Sequence, residues 1–150
     1  MIKKVTSYLS SILNVDMDSK KVDNRIAIAS LLCAVAYADH NTSDVELLAI
    51  EASLATLLKV DKSQLAHFIE LAKEEVKTST SIFDFTSQLE DLSHEDRINI
   101  IEAMWRTAYA DDHLDEIEEA IIRRVASLIY VPHSEFIRTK LKVLSEKDNT

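Results

Sequence analysis

The chain has 150 residues, 47% of them hydrophobic and 29% charged, and a formal charge of −9; that length and mixture suit one globular domain with a sizeable core. The negative charge argues against phosphate backbones and anionic lipid, which recruit cationic surfaces. The complete absence of glycine excludes a Gly-rich phosphate loop, a dinucleotide fingerprint and a nucleophile elbow, all of which need backbone without a side chain.

The N-terminal positions Ile2, Val5, Leu9, Ile12 and Leu13 recur at helical spacing and predict an amphipathic helix. Its stripe is expected to pack on the domain, with peripheral membrane contact as the alternative. The first residues show no sustained apolar core of a signal peptide, which predicts a cytoplasmic protein. A charged linker, Asp16 to Asp23, precedes the main domain, so the chain divides at 1–23 and 24–150.

The next predicted helix, Asn24 to Ala38, is apolar on nearly every side and is therefore expected to be buried all round. Its 13-residue apolar run from Ile26 to Ala38 is too short to cross a membrane, which takes about 20 residues. Cys33 lies within it, alone in the chain, so neither a disulfide framework nor a cysteine-rich zinc site is available. Burial would make this thiol inert.

After the loop Asp39-His40-Asn41-Thr42, Ser43-Asp44-Val45-Glu46 reads as a capping box that starts a helix to about Leu58. Asp61-Lys62-Ser63-Gln64 starts another, to about Val76. A loop at Thr78 to Ser81 leads to a short helix carrying Phe83, Phe85 and Leu89. Ser93 caps a long helix ending at Ala110, and two more follow, Glu116 to Tyr130 and Ser134 to Leu144. With Pro132 the only proline and no period-two alternation, the expected fold is an all-α bundle of seven to eight helices.

The chain also repeats itself. Asp23–Asp39 aligns with Glu95–Asp111 at an offset of 72 with 7 identities in 17 positions, including Arg25/Arg97 and all of Ala36-Tyr37-Ala38-Asp39 against Ala108-Tyr109-Ala110-Asp111. Beyond the loop the offset is 71, with 6 identities in 15 from Ala49/Ala120 to Ser63/Ser134. The one-residue slip falls in the loop or in the first turn after it. Two units, about 24–76 and 96–144, thus predict a pseudo-two-fold arrangement. If that symmetry sets the repeated helices antiparallel, Arg25 would pair with Asp111 and Arg97 with Asp39.

Each copy closes a helix on Ala-Tyr-Ala-Asp, and the second continues Asp112-His113-Leu114-Asp115-Glu116-Ile117-Glu118. This pattern resembles the TerB-like (tellurite-resistance protein B) family, in which Ala-x-Ala-Asp-Gly is followed by an aliphatic residue and a glutamate. The resemblance covers roughly residues 24–144 and puts Asp39/Glu46 and Asp111/Glu118 on the acidic positions. It implies a helical, non-catalytic protein of tellurite and other stress responses. His40 and Asp112 stand where the pattern has glycine; both residue types tolerate positive φ better than most, so the turn is expected to survive. Thr42 departs from the aliphatic position.

Six carboxylates fall in nine residues at Asp111, Asp112, Asp115, Glu116, Glu118 and Glu119. Capping and the helix dipole account for Asp115 to Glu119 but not for Asp39 and Asp111, which close helices where the dipole disfavours negative charge. These could be satisfied by loop amides, or they could bind a divalent cation weakly. The candidate ligands are Asp39, Glu46, Asp111, Asp112, Asp115 and Glu118, with His40 and His113 as additional ones. An EF-hand fails, since counting from Asp111 puts Glu116 at position 6 and Ile122 at position 12. No His-Glu-x-x-His or Glu-x-x-His occurs either. Trp105, the repeat partner of Cys33, is expected in the core. The reading is therefore an interaction or stress-response module with a protein partner and acidic loops as its working surface. The rival is a small metal-dependent enzyme using the same carboxylates.

Overall fold

In a computed structural model of the chain, residues 19–38, 43–79 and 81–148 are described, with side chains from Asn24 onward. The predicted amphipathic helix at residues 2–13 lies outside them. The described residues form α1 (Ser19–Ala36), α2 (Asp44–Leu58), α3 (Lys62–Thr78), a short α4 (Phe83–Thr86) running into a 3-10 turn (Ser87–Leu89), α5 (His94–Ala108), α6 (Glu116–Leu128) and α7 (His133–Asp148). The fold is all-α, and no strand occurs among the described residues.

The helix starts are those the local chemistry requires. A first turn leaves backbone N–H groups without partners, and here side chains accept them. Ser43 takes Glu46 N while Glu46 Oε1 accepts from Ser43 N at 3.3 Å. Asp61 takes Gln64 N at 3.0 Å, and Ser93 takes Asp96 N at 3.1 Å. Asp115 takes Ile117 N at 2.7 Å while Glu118 Oε1 accepts from Asp115 N at 3.1 Å. The ends differ from expectation. α1 begins at Ser19, inside the stretch expected to be a linker. α7 continues to Asp148 rather than stopping at Leu144, because Glu146 and Lys147 find partners on and beyond α5.

α1 is the axis of the bundle. From Ile26 to Ala36 every side chain except Ala34 is buried, as its all-round apolar sequence demands. It packs most extensively on α3 and α5 and also touches α2, α4, the 3-10 turn and α6. α5 holds the same central place in the second half, against α7, α2, α1 and α6. The second helix of each unit thus lies against the first helix of the other. Trp105, Phe68 and Phe136 are the largest fully buried side chains, each stabilising the fold by roughly 1.5–3 kcal/mol. Trp105 meets Phe136 in a tilted arrangement at 5.0 Å and stacks with Tyr109 at 6.1 Å between ring centroids.

Candidate functional site

The second acidic loop begins where α5 runs out. Tyr109 N and Ala110 N still donate back to Trp105 O and Thr107 O, and Asp112 N donates to Tyr109 O at 2.9 Å. The turn is completed by Asp112 at φ 63°, in the left-handed region. Aspartate here does the work of the family pattern's glycine, as its short polar side chain allows. Asp111 Oδ1 accepts from His113 N at 3.1 Å, so this aspartate is satisfied locally by a loop amide.

The negative charge at this helix end is offset from outside the loop. Lys147 Nζ, in the last turn of α7, donates to Tyr109 O, to Ala110 O at 3.3 Å and to Asp112 Oδ1 at 2.7 Å. One ammonium thereby meets the carbonyl end of α5 and the acidic loop together, which removes the conflict with the dipole. Asp115 and Glu118 form the capping box, and Glu118 is buried beneath it. Glu119 is drawn away by Lys140 at 3.0 Å and Arg123 at 3.6 Å. The outward-facing members are Asp111, Asp112, His113, Glu116 and the apolar Ile117.

In the first copy Asp39 and His40 lie outside the described residues. Glu46 is buried in its capping box with Ser43, the counterpart of Glu118, and Val45 is exposed as its repeat partner Ile117 is. Among the described residues, no three His, Cys, Asp or Glu side chains come together in a way that could hold a metal ion. Asp115 and Glu118 share a cap while Asp111 turns to its own loop.

The repeated arginines do something other than expected. Arg25 Nη2 donates to Leu58 O at 3.2 Å, at the end of α2. Arg97 Nε donates to Leu92 O at 3.0 Å, Nη2 to Glu90 O at 3.2 Å and Nη1 to Ile129 O at 3.5 Å, just past α6. Leu58 and Ile129 are repeat partners, so each arginine meets the carbonyl end of its own unit's second helix. This replaces the expected Arg25–Asp111 pair. A helix end carries unpaired carbonyls and partial negative charge that suit a guanidinium; Asp39, the expected partner of Arg97, lies outside the described residues. Lys59 (φ 55°) and Tyr130 (φ 61°) follow these ends in the left-handed conformation. From cap to left-handed residue α2 takes 59 − 43 = 16 steps and α6 takes 130 − 115 = 15. Since both capping boxes agree at 72, the slip lies past the first turn, within the helix.

A second charged network was not anticipated. Glu102, buried on α5, accepts from Arg106 and pairs with Lys142 Nζ at 2.9 Å, while Arg106 also holds Glu146 at 2.9 Å. It floors a groove of about 710 Å³ lined by Ser53, Thr56, Asn99 and Lys142. The i, i+4 spacing of Glu102 and Arg106 was a visible hint; Lys142 and Glu146, some 40 residues on, were not. Cys33 is fully buried and its thiol is pushed up to about 12 by burial, in keeping with an unreactive core thiol.

No match is found among curated proteins or among solved structures. The family model for tellurite resistance protein TerB matches residues 25–141. That span runs from the first repeated arginine to the middle of α7 and takes in both capping boxes and the Asp112 turn. The chain belongs to the TerB family.

Proposed function

We propose that this TerB-family chain is a non-catalytic interaction module of a tellurite-resistance or stress-response system, and that its two acidic helix starts form the surface that engages a protein partner. The observation that carries this reading is the pairing of acid with exposed apolar surface at equivalent places. Ile117, 52% exposed, stands beside Glu116 and the Asp111–Asp112 loop, and Val45, 49% exposed, stands beside Asp44. An apolar residue ringed by carboxylates suits a basic, partly apolar protein surface better than it suits a bare ion.

Divalent-cation binding by Asp39, Glu46, Asp111, Asp112, Asp115 and Glu118 is the narrower form of the proposal. Within it Asp111 and Asp112 are the exposed carboxylates outside the caps, which occupy Asp115, Glu46 and Glu118, and a cation there would compete with Lys147 for Asp112. Pull-downs from native lysate should compare wild type with Asp111→Asn/Asp112→Asn and with Ile117→Ser. Loss of the same partners in both variants is expected, each retaining its helical spectrum. Retention of the full partner set by both variants would refute the surface. Calorimetric titration with calcium, magnesium, zinc and manganese separates an ion-dependent interface from a purely protein one.

A further inference from the structure

The outer face of α2 is unlike that of its counterpart in the second unit. Of the fifteen residues of α2 only Asp44, Glu46 and Glu51 are charged, and Glu46 is buried in the cap. Ile50, Leu54 and Leu58 turn into the core. On the opposite side Asp44, Leu48, Ala52 and Ala55 follow one another at helical spacing, and Lys59 completes the line just past the helix end. All five are exposed, Leu48 at 63%. The same face of α6 presents Glu116, Ala120, Arg123, Arg124 and Ser127, the charged side of a helix that meets water. Solvent accounts for the outside of α6 but not for that of α2.

The exposed line is complementary to itself run backwards. An acid stands at its start and a base at its end, and a large apolar side chain in the first half answers small ones in the second. We propose that α2 pairs with α2 of a second copy of this chain, antiparallel about a two-fold axis passing between Glu51 and Ala52. That axis sets Asp44 against Lys59 of the second copy and Leu48 against its Ala55. Each contact occurs twice, as an isologous interface requires.

Charge and shape both fit this occupant. Asp44 and Lys59 enter no ion pair among the described residues, so each is free to meet the other across the axis. The alanines let the helix axes approach to about 8 Å, the close end of helix packing, and seat each Leu48 on Ala52 and Ala55 of the other copy. Size sets the strength. α2 spans about 22 Å, and one pair of such helices buries less than the ~1,200 Å² of a standard interface, so the dimer is weak and reversible. The contact leaves the acidic surface at Asp111–Ile117 uncovered and does not rest on it.

The test is sedimentation equilibrium of the full chain over a wide range of concentration, with circular dichroism to show that each variant stays folded. Wild type is expected to associate reversibly to a dimer. Leu48→Ser should weaken association by about tenfold or more, since each dimer loses two buried leucines. Asp44→Lys and Lys59→Asp should each weaken it, and the double variant Asp44→Lys/Lys59→Asp should restore it. Asp44→Lys also lowers the net negative charge, so general repulsion alone predicts the opposite result. Because the axis brings the two Glu51 carboxylates together, Glu51→Gln should tighten the dimer by about twofold. Glu74→Gln, the same change of charge at an exposed site on α3, should not. Ile117→Ser should leave association unchanged, so this contact and the acidic surface fail separately. A chain that stays monomeric at every concentration overturns the proposal, and so does a dimer that survives Leu48→Ser or tightens in Asp44→Lys.

Discussion

Replacing Arg97 by alanine removes the donor that ties three segments together: the turn after the 3-10 helix through Glu90 O and Leu92 O, the start of α5, and the end of α6 through Ile129 O. The partly buried Leu92 bond at 3.0 Å has a charged donor, and such bonds contribute about 1.5–3 kcal/mol. The Ile129 contact at 3.5 Å is marginal, and Glu90 O is exposed enough for water to replace the guanidinium. Together they set the expected loss at about 2–4 kcal/mol. For a domain of this size that corresponds to a fall in Tm of about 5–15 °C. Arg97→Lys keeps the charge but not the fork, and should recover at most about half. Arg124→Ala, on the exposed face of α6, should stay within about 0.5 kcal/mol of wild type. Thermal melts and urea titrations of the three variants provide the test. An Arg97→Ala protein melting within about 2 °C of wild type would mean that water satisfies these carbonyls as well, and the reasoning from Arg97 to Arg25 would fall with it.

Tyr130, 78% exposed at φ 61°, is held where non-glycine residues lose about 1–2 kcal/mol. Since glycine's extra chain entropy returns about 0.5–1 kcal/mol, Tyr130→Gly should stabilise the protein by about 0.5–1 kcal/mol in urea titration; destabilisation would show that the ring makes contacts worth more than the strain. Asp61 and Glu146 have carboxyls held below the ordinary range, by the Ser63 hydroxyl and by Arg106 respectively. Their contribution is present above the unfolded carboxylate range and is lost as pH falls through the lowered folded values. Asp61→Asn and Glu146→Gln should thus flatten the acid limb of the stability–pH curve while leaving its slope above neutrality unchanged. Native Cys33 should resist thiol reagents until the protein is unfolded, and rapid labelling of the native chain would contradict its full burial.

What could be read from the residues was mostly what is settled within one turn of chain. The caps at Ser43, Asp61, Ser93 and Asp115 involve partners two or three residues away, so residue type and spacing sufficed. The burial of α1 followed from its composition, and the positive φ of Asp112 from a missing glycine. The fate of the charges did not follow. Arg97 and Lys147 answer carbonyls 32 to 38 residues away, and a backbone carbonyl has no letter in the sequence. Pairing arginine with aspartate by sign overlooked that competitor. The same blindness applied to Glu75, which periodicity would have allowed on either face of α3 but which packing has buried.

The all-round burial of α1 has a consequence for how the chain reaches its native state. Six other elements enclose this helix, three of them in the second unit or the turn leading to it. Neither unit cut out alone can keep its first helix dry, so excised halves would expose a row of Ile, Leu and Val and aggregate. The contacts that close the ring join residues far apart in the chain, and their loop entropy must be met before burial rewards it. The two repeats therefore fold as one cooperative whole, each serving as the other's missing wall.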